Sequence, residues 1–130
     1  MAKVNSREQI TIDLPHPPRI LHPNARPHYM AKAKATKAYR MGAKAAALAA
    51  GGDSQLWPSA SVKVIATYKD ARRRDRDGIL SSLKAAFDGL ADAWVVMNDA
   101  DFTYEPVEVR KGKDVGIRLI ITKGVSNGEA

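Results

Sequence analysis

Polar and apolar residues alternate over residues 9–14 (QITIDL), near the start of the chain. Alternation places every second side chain on the same face of a strand, so this segment predicts a half-buried strand. Residues 61–68 alternate in the same way until Ile65, which breaks the pattern toward burial on both faces. We therefore expect a second strand there, with less exposure than the first.

Two segments predict helices. Residues 31–50 are rich in alanine and lysine, which are strong helix formers, and Gly51-Gly52 would end that helix. Residues 77–93 should form a second helix, because apolar residues recur there at steps of three and four. The loop 15–29 holds five of the seven prolines and all three histidines, and we expect it to be extended.

The last third of the chain predicts two more strands, at residues 103–109 and 115–122, joined as a hairpin around residues 111–114. Pro106 indicates an edge or a bulge, because proline cannot donate to a sheet ladder. The order β-α-β-α-β-β predicts one α+β domain over residues 1–130, with helices packed on a mixed sheet. Residues 1–8 and 124–130 are expected to be flexible.

Charge narrows the choice of partners. Twenty-one Lys and Arg oppose fourteen Asp and Glu among 130 residues, which gives a net charge of +7 and favours a polyanion such as nucleic acid. The chain has no cysteine, so disulfides and cysteine zinc sites are excluded. It also has no apolar run of about 18 residues and no signal-peptide pattern, so we expect a cytoplasmic protein without a membrane partner.

Four arginines (Arg72, Arg73, Arg74 and Arg76) surround two aspartates, Asp75 and Asp77. Asp99 and Asp101 repeat the spacing of the aspartates after the second predicted helix. Carboxylates suit Mg²⁺, which in phosphodiester hydrolysis activates the attacking water and neutralises the leaving oxygen. The alternatives are purely structural roles, in which Asp77 caps the helix, Asp75 pairs with Arg72 or Arg73, and residues 99–101 form a polar turn.

Lys84 and Asp88 would lie within about 20° of Asp77 around the axis of one continuous helix. Lys84 could then stabilise negative charge on a scissile phosphate, with Asp88 as a salt-bridge partner. A solvated lysine is the alternative.

A basic stripe on the first predicted helix, formed by Lys37, Arg40 and Lys44, could follow a phosphate backbone or could simply face solvent. The three histidines of the loop favour phosphate contact or plain loop polarity over zinc binding. Trp57 and Trp94 are expected in the core or at a dimer interface.

The ordered motifs RRRDRD (72–77), LKAAFDGL (83–90) and NDA (98–100) resemble the D-x-D-N…K-A-x-x-D-x-L…D-D-A pattern of the RusA-type Holliday junction resolvases. The early LPHPP (14–18) resembles the L-P-x-P-P segment of that family. The resemblance covers about residues 9–122. Here Gly78 replaces the family asparagine, Asn98 replaces the first acid of D-D-A, and Lys84 lies about one helical turn later than in the shortest members.

The resemblance implies a homodimer that binds four-way DNA junctions and nicks two symmetry-related strands with Mg²⁺, for which Mn²⁺ could substitute. By motif position, Asp75, Asp77 and Asp99 are implied to be the catalytic metal ligands and Lys84 the essential lysine. The arginines of residues 72–76 and the stripe on the first helix would grip phosphates. The alternative is a basic module that binds branched DNA without cutting it, and a structural phage protein is a third interpretation.

Overall fold

The computed structural model describes residues 8–23, 25–26, 28–51 and 55–124. Within these residues, 3-10 turns at Arg19–Leu21 and Asp99–Asp101 accompany the regular elements. The helices are α1 (Tyr29–Ala49), α2 (Arg76–Ser82) and α3 (Lys84–Asp92). The strands are β1 (Gln9–Leu14), β2 (Ala60–Tyr68), β3 (Phe102–Tyr104), β4 (Glu108–Lys111) and β5 (Gly116–Lys123).

The strands form one mixed sheet in the order β1-β5-β2-β3, with β4 also paired to β2. β5 lies antiparallel to both β1 and β2. β3 and β4 follow one another along the opposite side of β2, and both run parallel to it. β2 is therefore the central strand, which agrees with the lower exposure predicted for it. The predicted α+β class with a mixed sheet is confirmed.

One face of the sheet builds the core. Ile12, Leu119 and Val64 lie side by side on β1, β5 and β2, and all three are buried. Neighbouring rows repeat the arrangement, because side chains on a strand alternate between faces. The opposite face is polar at β1 and β5, where Asp13 accepts two hydrogen bonds from Arg118 at 2.8 and 3.1 Å. The alternation in the sequence thus correctly indicated which face is buried.

Helix α1 packs closely on α3 because small residues line the contact. A Cβ added to Gly89 would lie 2.3 Å from the carbonyl oxygen of Arg40 and 3.0 Å from the Cβ of Ala43. A bidentate ion pair at the same crossing joins Arg40 to Asp92, with N···O distances of 2.6 and 2.8 Å. The hydroxyl of Tyr39 donates to the carbonyl of Pro15 at 2.6 Å and ties α1 to the proline-rich loop.

The single helix predicted over residues 77–93 is wrong, since the segment forms α2 and α3 with a break at Leu83. The amide of Leu83 donates to Leu80, three residues back, which is a tighter turn than an α-helix makes. The buried hydroxyl of Ser82 donates to the carbonyl of Ile79 at 2.7 Å. Serine bonding to the preceding turn bends helices, and here the bend buries Leu83 completely.

The predicted hairpin is also wrong, because β2 lies between its two strands. β4 pairs with one side of β2 and β5 with the other, so neither pairs with its neighbour in sequence. The segment 103–109 is further divided into β3 and β4 around Pro106, which has no amide hydrogen for the ladder. Both pieces lie at the edge of the sheet, as Pro106 indicated.

Several expectations concern the ends of the chain. Helix α1 ends at Ala49, and Gly51 follows with φ of +83°, a conformation that glycine adopts without strain. Most of the two segments predicted to be flexible, 1–7 and 125–130, lies outside the described residues. Within the described ranges, the helices are too short or too polar to cross a bilayer.

Candidate nucleic-acid interface and acidic site

The arginine-rich segment leaves the end of β2 and is held in a defined shape by its own contacts. Arg74 lies with its guanidinium carbon 3.6 Å from the ring centroid of Tyr68. The same guanidinium donates to the carbonyl of Arg72 at 2.9 Å and pairs with Asp70 at 3.0 Å. Asp70 is therefore the acid that orders this segment, and not Asp75 or Asp77.

The arginine segment faces β4 across a cleft of about 360 Å³. Arg76 crosses that space and donates from Nε to the carbonyl of Val107 at 2.9 Å. We call this the arginine cleft, and six cationic residues line it: Arg72, Arg73, Arg74, Arg76, Arg110 and Lys111. Such a density of cations suits a polyanion.

Sequence analysis missed two members of the arginine cleft, Arg110 and Lys111. The sequence pattern assigns Lys111 to a hairpin turn and gives Arg110 no role, and only the parallel pairing of β4 with β2 brings both beside the arginine segment. Lys111 faces Tyr68, the last residue of β2, in the strand register. The basic run RKGK (110–113) was a visible signal, but its location depends on the sheet topology.

Asp75 and Asp77 sit together where α2 begins, next to the arginine cleft. Asp75 is the N-cap of α2 and accepts from the amide of Asp77 at 3.1 Å. The cap of α2 is therefore Asp75 and not Asp77, the residue that the sequence suggested, and Asp77 lies in the first turn. Both are exposed, so their carboxylates face solvent and any approaching ligand.

Lys84, Asp88 and Asp99 form a second cluster, which we call the lysine cluster. The ammonium of Lys84 donates to Asp99 at 2.7 Å and to Asp88 at 3.3 Å. The hydrogen bond to Asp99 raises the pKa of Lys84, and the same bond lowers the pKa of Asp99. Lys84 is therefore protonated and Asp99 ionised at neutral pH, and the two neutralise each other.

Asp99 lies in a polar turn, which is the structural role that the sequence offered as an alternative for residues 99–101. The side chain of Asn98 accepts from the amide of Ala100 at 2.9 Å, and Asp101 accepts from the amide of Asn98 at 3.2 Å. This reciprocal capping fixes the turn Asp99–Asp101. Asp101 is occupied by the cap, which leaves Asp99 to face Lys84.

Along the chain, most of α2 lies between the aspartates Asp75 and Asp77 and the first residue of the lysine cluster, Lys84. The seven residues of α2 span about 10 Å and separate Asp75 and Asp77 from Lys84 at the start of α3. The break at Leu83 also removes the single helical flank predicted to carry Asp77 and Lys84 together, although Lys84 and Asp88 remain neighbours. Across the part of the chain that the structure describes, no three His, Asp or Glu side chains are grouped to hold a metal ion.

The basic stripe on α1 is only partly available. Arg40 is engaged by Asp92 and also approaches Asp88 at 4.0 Å, so its charge is already compensated. Lys37 and Lys44 are exposed. Among the tryptophans, Trp57 is buried as expected, whereas Trp94 is 55% exposed and is not a core residue.

The chain is similar in sequence to a known bacterial protein. A protein of Xylella fastidiosa (strain Temecula1) described as "Uncharacterized protein" is 35% identical across an alignment 140 positions long, which covers 98% of this chain and 86% of the relative. No protein-family model matches the chain.

Proposed function

We propose that this chain, which belongs to the same family as the Xylella fastidiosa protein, is a structure-specific DNA endonuclease. Its substrates would be four-way or other branched DNA junctions. The observation that carries the proposal is that the arginine cleft adjoins the space beside Asp75. Arg74 lines the arginine cleft and also borders the space beside Asp75, so bound phosphates would lead directly to the acids. The motif resemblance to RusA-type resolvases supports the same activity.

In this proposal the arginine cleft binds phosphates by charge and by guanidinium hydrogen bonds. Arg74 and Arg76 are already oriented by the protein, which reduces the entropy lost on binding. Lys37, Lys44 and Arg40 would add contacts along α1, with Arg40 contributing least because of its pairing with Asp92.

Asp75 and Asp77 are the residues that would hold Mg²⁺. Magnesium is usually bound through one or two carboxylates, with waters and substrate phosphates completing the shell, and these two supply that set. Bound Mg²⁺ would supply an activated water and charge neutralisation at the leaving oxygen. Asp99 would join only by exchanging Lys84 for the cation, because its carboxylate is paired in the described structure.

Lys84 is the residue proposed to neutralise charge on the phosphate. It is protonated through its hydrogen bonds to the two aspartates, and its side chain remains 68% exposed. A protonated ammonium can contact a phosphate without a proton transfer, by exchanging its contact with Asp99 for a phosphate oxygen. The same ion pairs hold the side chain toward the turn Asp99–Asp101.

We propose a homodimer as the active form, because paired cuts in a two-fold symmetric junction require two related sites. Met41, Trp94 and Met97 have large apolar side chains that are more than half exposed in the single chain. Surface of this kind is often covered by a partner.

The test is cleavage of a synthetic four-way junction with Mg²⁺, comparing the wild type with Asp77→Asn and with a control, Asp114→Asn. Asp114 is an exposed acid on the loop between β4 and β5. We expect symmetric paired nicks from the wild type and the control, and none from Asp77→Asn. Equal cutting by all three proteins would show that Asp77 has no part in the mechanism. No cutting by the wild type would refute the proposed nuclease activity.

The second function is a module that binds branched DNA without cutting it. One specific observation favours it, namely that Asp75 caps α2 and Asp99 pairs with Lys84, so both acids have structural roles. Junction binding that does not depend on Mg²⁺, together with absent cleavage, would support this function over the first.

A further inference from the structure

A second cleft lies on the other side of Arg74, between the proline-rich loop and the start of α2. Its volume is about 380 Å³, which is within the range of small-ligand sites. The rim carries His16, Arg19, His22, Arg74 and Asp75, and we call it the histidine cleft. Arg74 is also paired with Asp70, so Arg19 is the cation that this cleft adds to those of the arginine cleft.

The wall made by the proline-rich loop is anchored. His16 lies 2.8 Å through Nε2 from the carbonyl of Thr67, and since a carbonyl only accepts, Nε2 carries the proton. The ring of His16 also stacks on Tyr68, with centroids 4.4 Å apart. Because His16 and Arg74 both lie this close to the Tyr68 ring, they must occupy its two faces.

Gly78 permits the close approach of His22 to Asp75. A Cβ at position 78 would lie 3.2 Å from Cε1 of His22 and 3.2 Å from Oδ2 of Asp75. Those two atoms are therefore at most about 6.4 Å apart. The imidazole of His22 thus fills space next to the Asp75 carboxylate that a larger residue at 78 would contest.

The floor of the histidine cleft is apolar and offers no competing charge. Ile79 and Ile117 are buried there, and the hydroxyl of Ser82 is already bonded within α2. A charged ligand would therefore be recognised at the rim, by Arg19, His22 and Arg74.

We propose that the histidine cleft binds one phosphodiester unit of a DNA strand, next to the unit held at Asp75 and Asp77. Arg19 and Arg74 would contact the phosphate, and His22 would donate from its ring. Arg74 belongs to both clefts, so one strand could continue from the arginine cleft into this one. The identity of the ligand rests on the proposed function, whereas phosphate binding by the rim does not depend on cleavage.

The three histidines give a direct assay. The ring Cε1–H signals of His16, His22 and His28 would be followed by NMR in EDTA, during titration with a single-stranded hexathymidylate. We expect saturable shifts at His22 and His16, and none at His28, which caps α1 and does not line the cleft. Inorganic phosphate at equal phosphate concentration should shift them less, because it lacks the linked phosphates that the arginine cleft would hold.

Arg19→Ala should weaken the titration at His22 by about tenfold, as expected for losing a hydrogen bond to a charged group. The matched control is Arg26→Ala, an arginine on the same loop that does not line the cleft. An unmoved His22 signal, or equal weakening by the two variants, would overturn the proposal. A shift at His22 in a protein that never cuts a junction would keep the cleft and refute only the nuclease.

Discussion

Replacing Gly89 by alanine tests how closely α1 and α3 approach. The added methyl would lie 2.3 Å from the carbonyl oxygen of Arg40 and 3.1 Å from the amide nitrogen of Lys44. Both atoms belong to the backbone of α1, so no side-chain rotation relieves the overlap. The helices must separate, and α3 carries Lys84 and Asp92 with it.

The size of the effect follows from two opposing terms. Alanine is favoured over glycine inside a helix by about 0.5–1 kcal/mol. Overpacking a tight contact costs about 1–3 kcal/mol, and a backbone clash belongs at the upper end. We therefore expect Gly89→Ala to lower the free energy of unfolding by roughly 1–2 kcal/mol.

Gly42 supplies the matched control, because it is also a helical glycine and a Cβ there would meet nothing within 4 Å. Gly42→Ala should raise the free energy of unfolding by about 0.5–1 kcal/mol. Urea unfolding followed by circular dichroism should thus separate the two variants by about 1.5–3 kcal/mol, and thermal unfolding should separate their Tm values by roughly 10 °C. Equal stability of the two variants would refute the close α1–α3 contact.

Two further predictions concern charge. Arg40→Ala should cost about 0.5–1 kcal/mol of unfolding free energy at pH 7. Its hydrogen bonds to Asp92 lower the pKa of that carboxyl, so the contribution is present above the ordinary pKa of aspartate and is lost as pH falls through the lowered value. Urea unfolding of wild type and variant between neutral and acid pH should therefore converge, and a difference that persists in acid would contradict the ion pair. Arg73→Ala should weaken DNA binding and reduce the slope of log K against log salt by about one, measured by fluorescence anisotropy. An unchanged slope would mean that Arg73 contacts no phosphate.

Local patterns were enough to predict most elements. The alternation at residues 9–14 matches β1 as observed, and the helix predicted from residue 31 begins two residues earlier, at Tyr29. Period and propensity act over a few residues, so they survive in any fold that buries one face. Position 83 shows the limit, since a leucine at helical spacing from its neighbours instead marks the break between α2 and α3.

The candidate site was predictable in its composition and unpredictable in its grouping. The sequence alone determined the charges that Arg74, Asp75 and Lys84 bring to the candidate site, because charge and hydrogen-bonding capacity belong to the side chain. Only the tertiary structure decided that β4 brings Arg110 to the arginine cleft and that Asp99 pairs with Lys84 while Asp75 caps α2. Distances between residues far apart in the chain depend on strand pairing and helix breaks, and these are set by burial of the whole core.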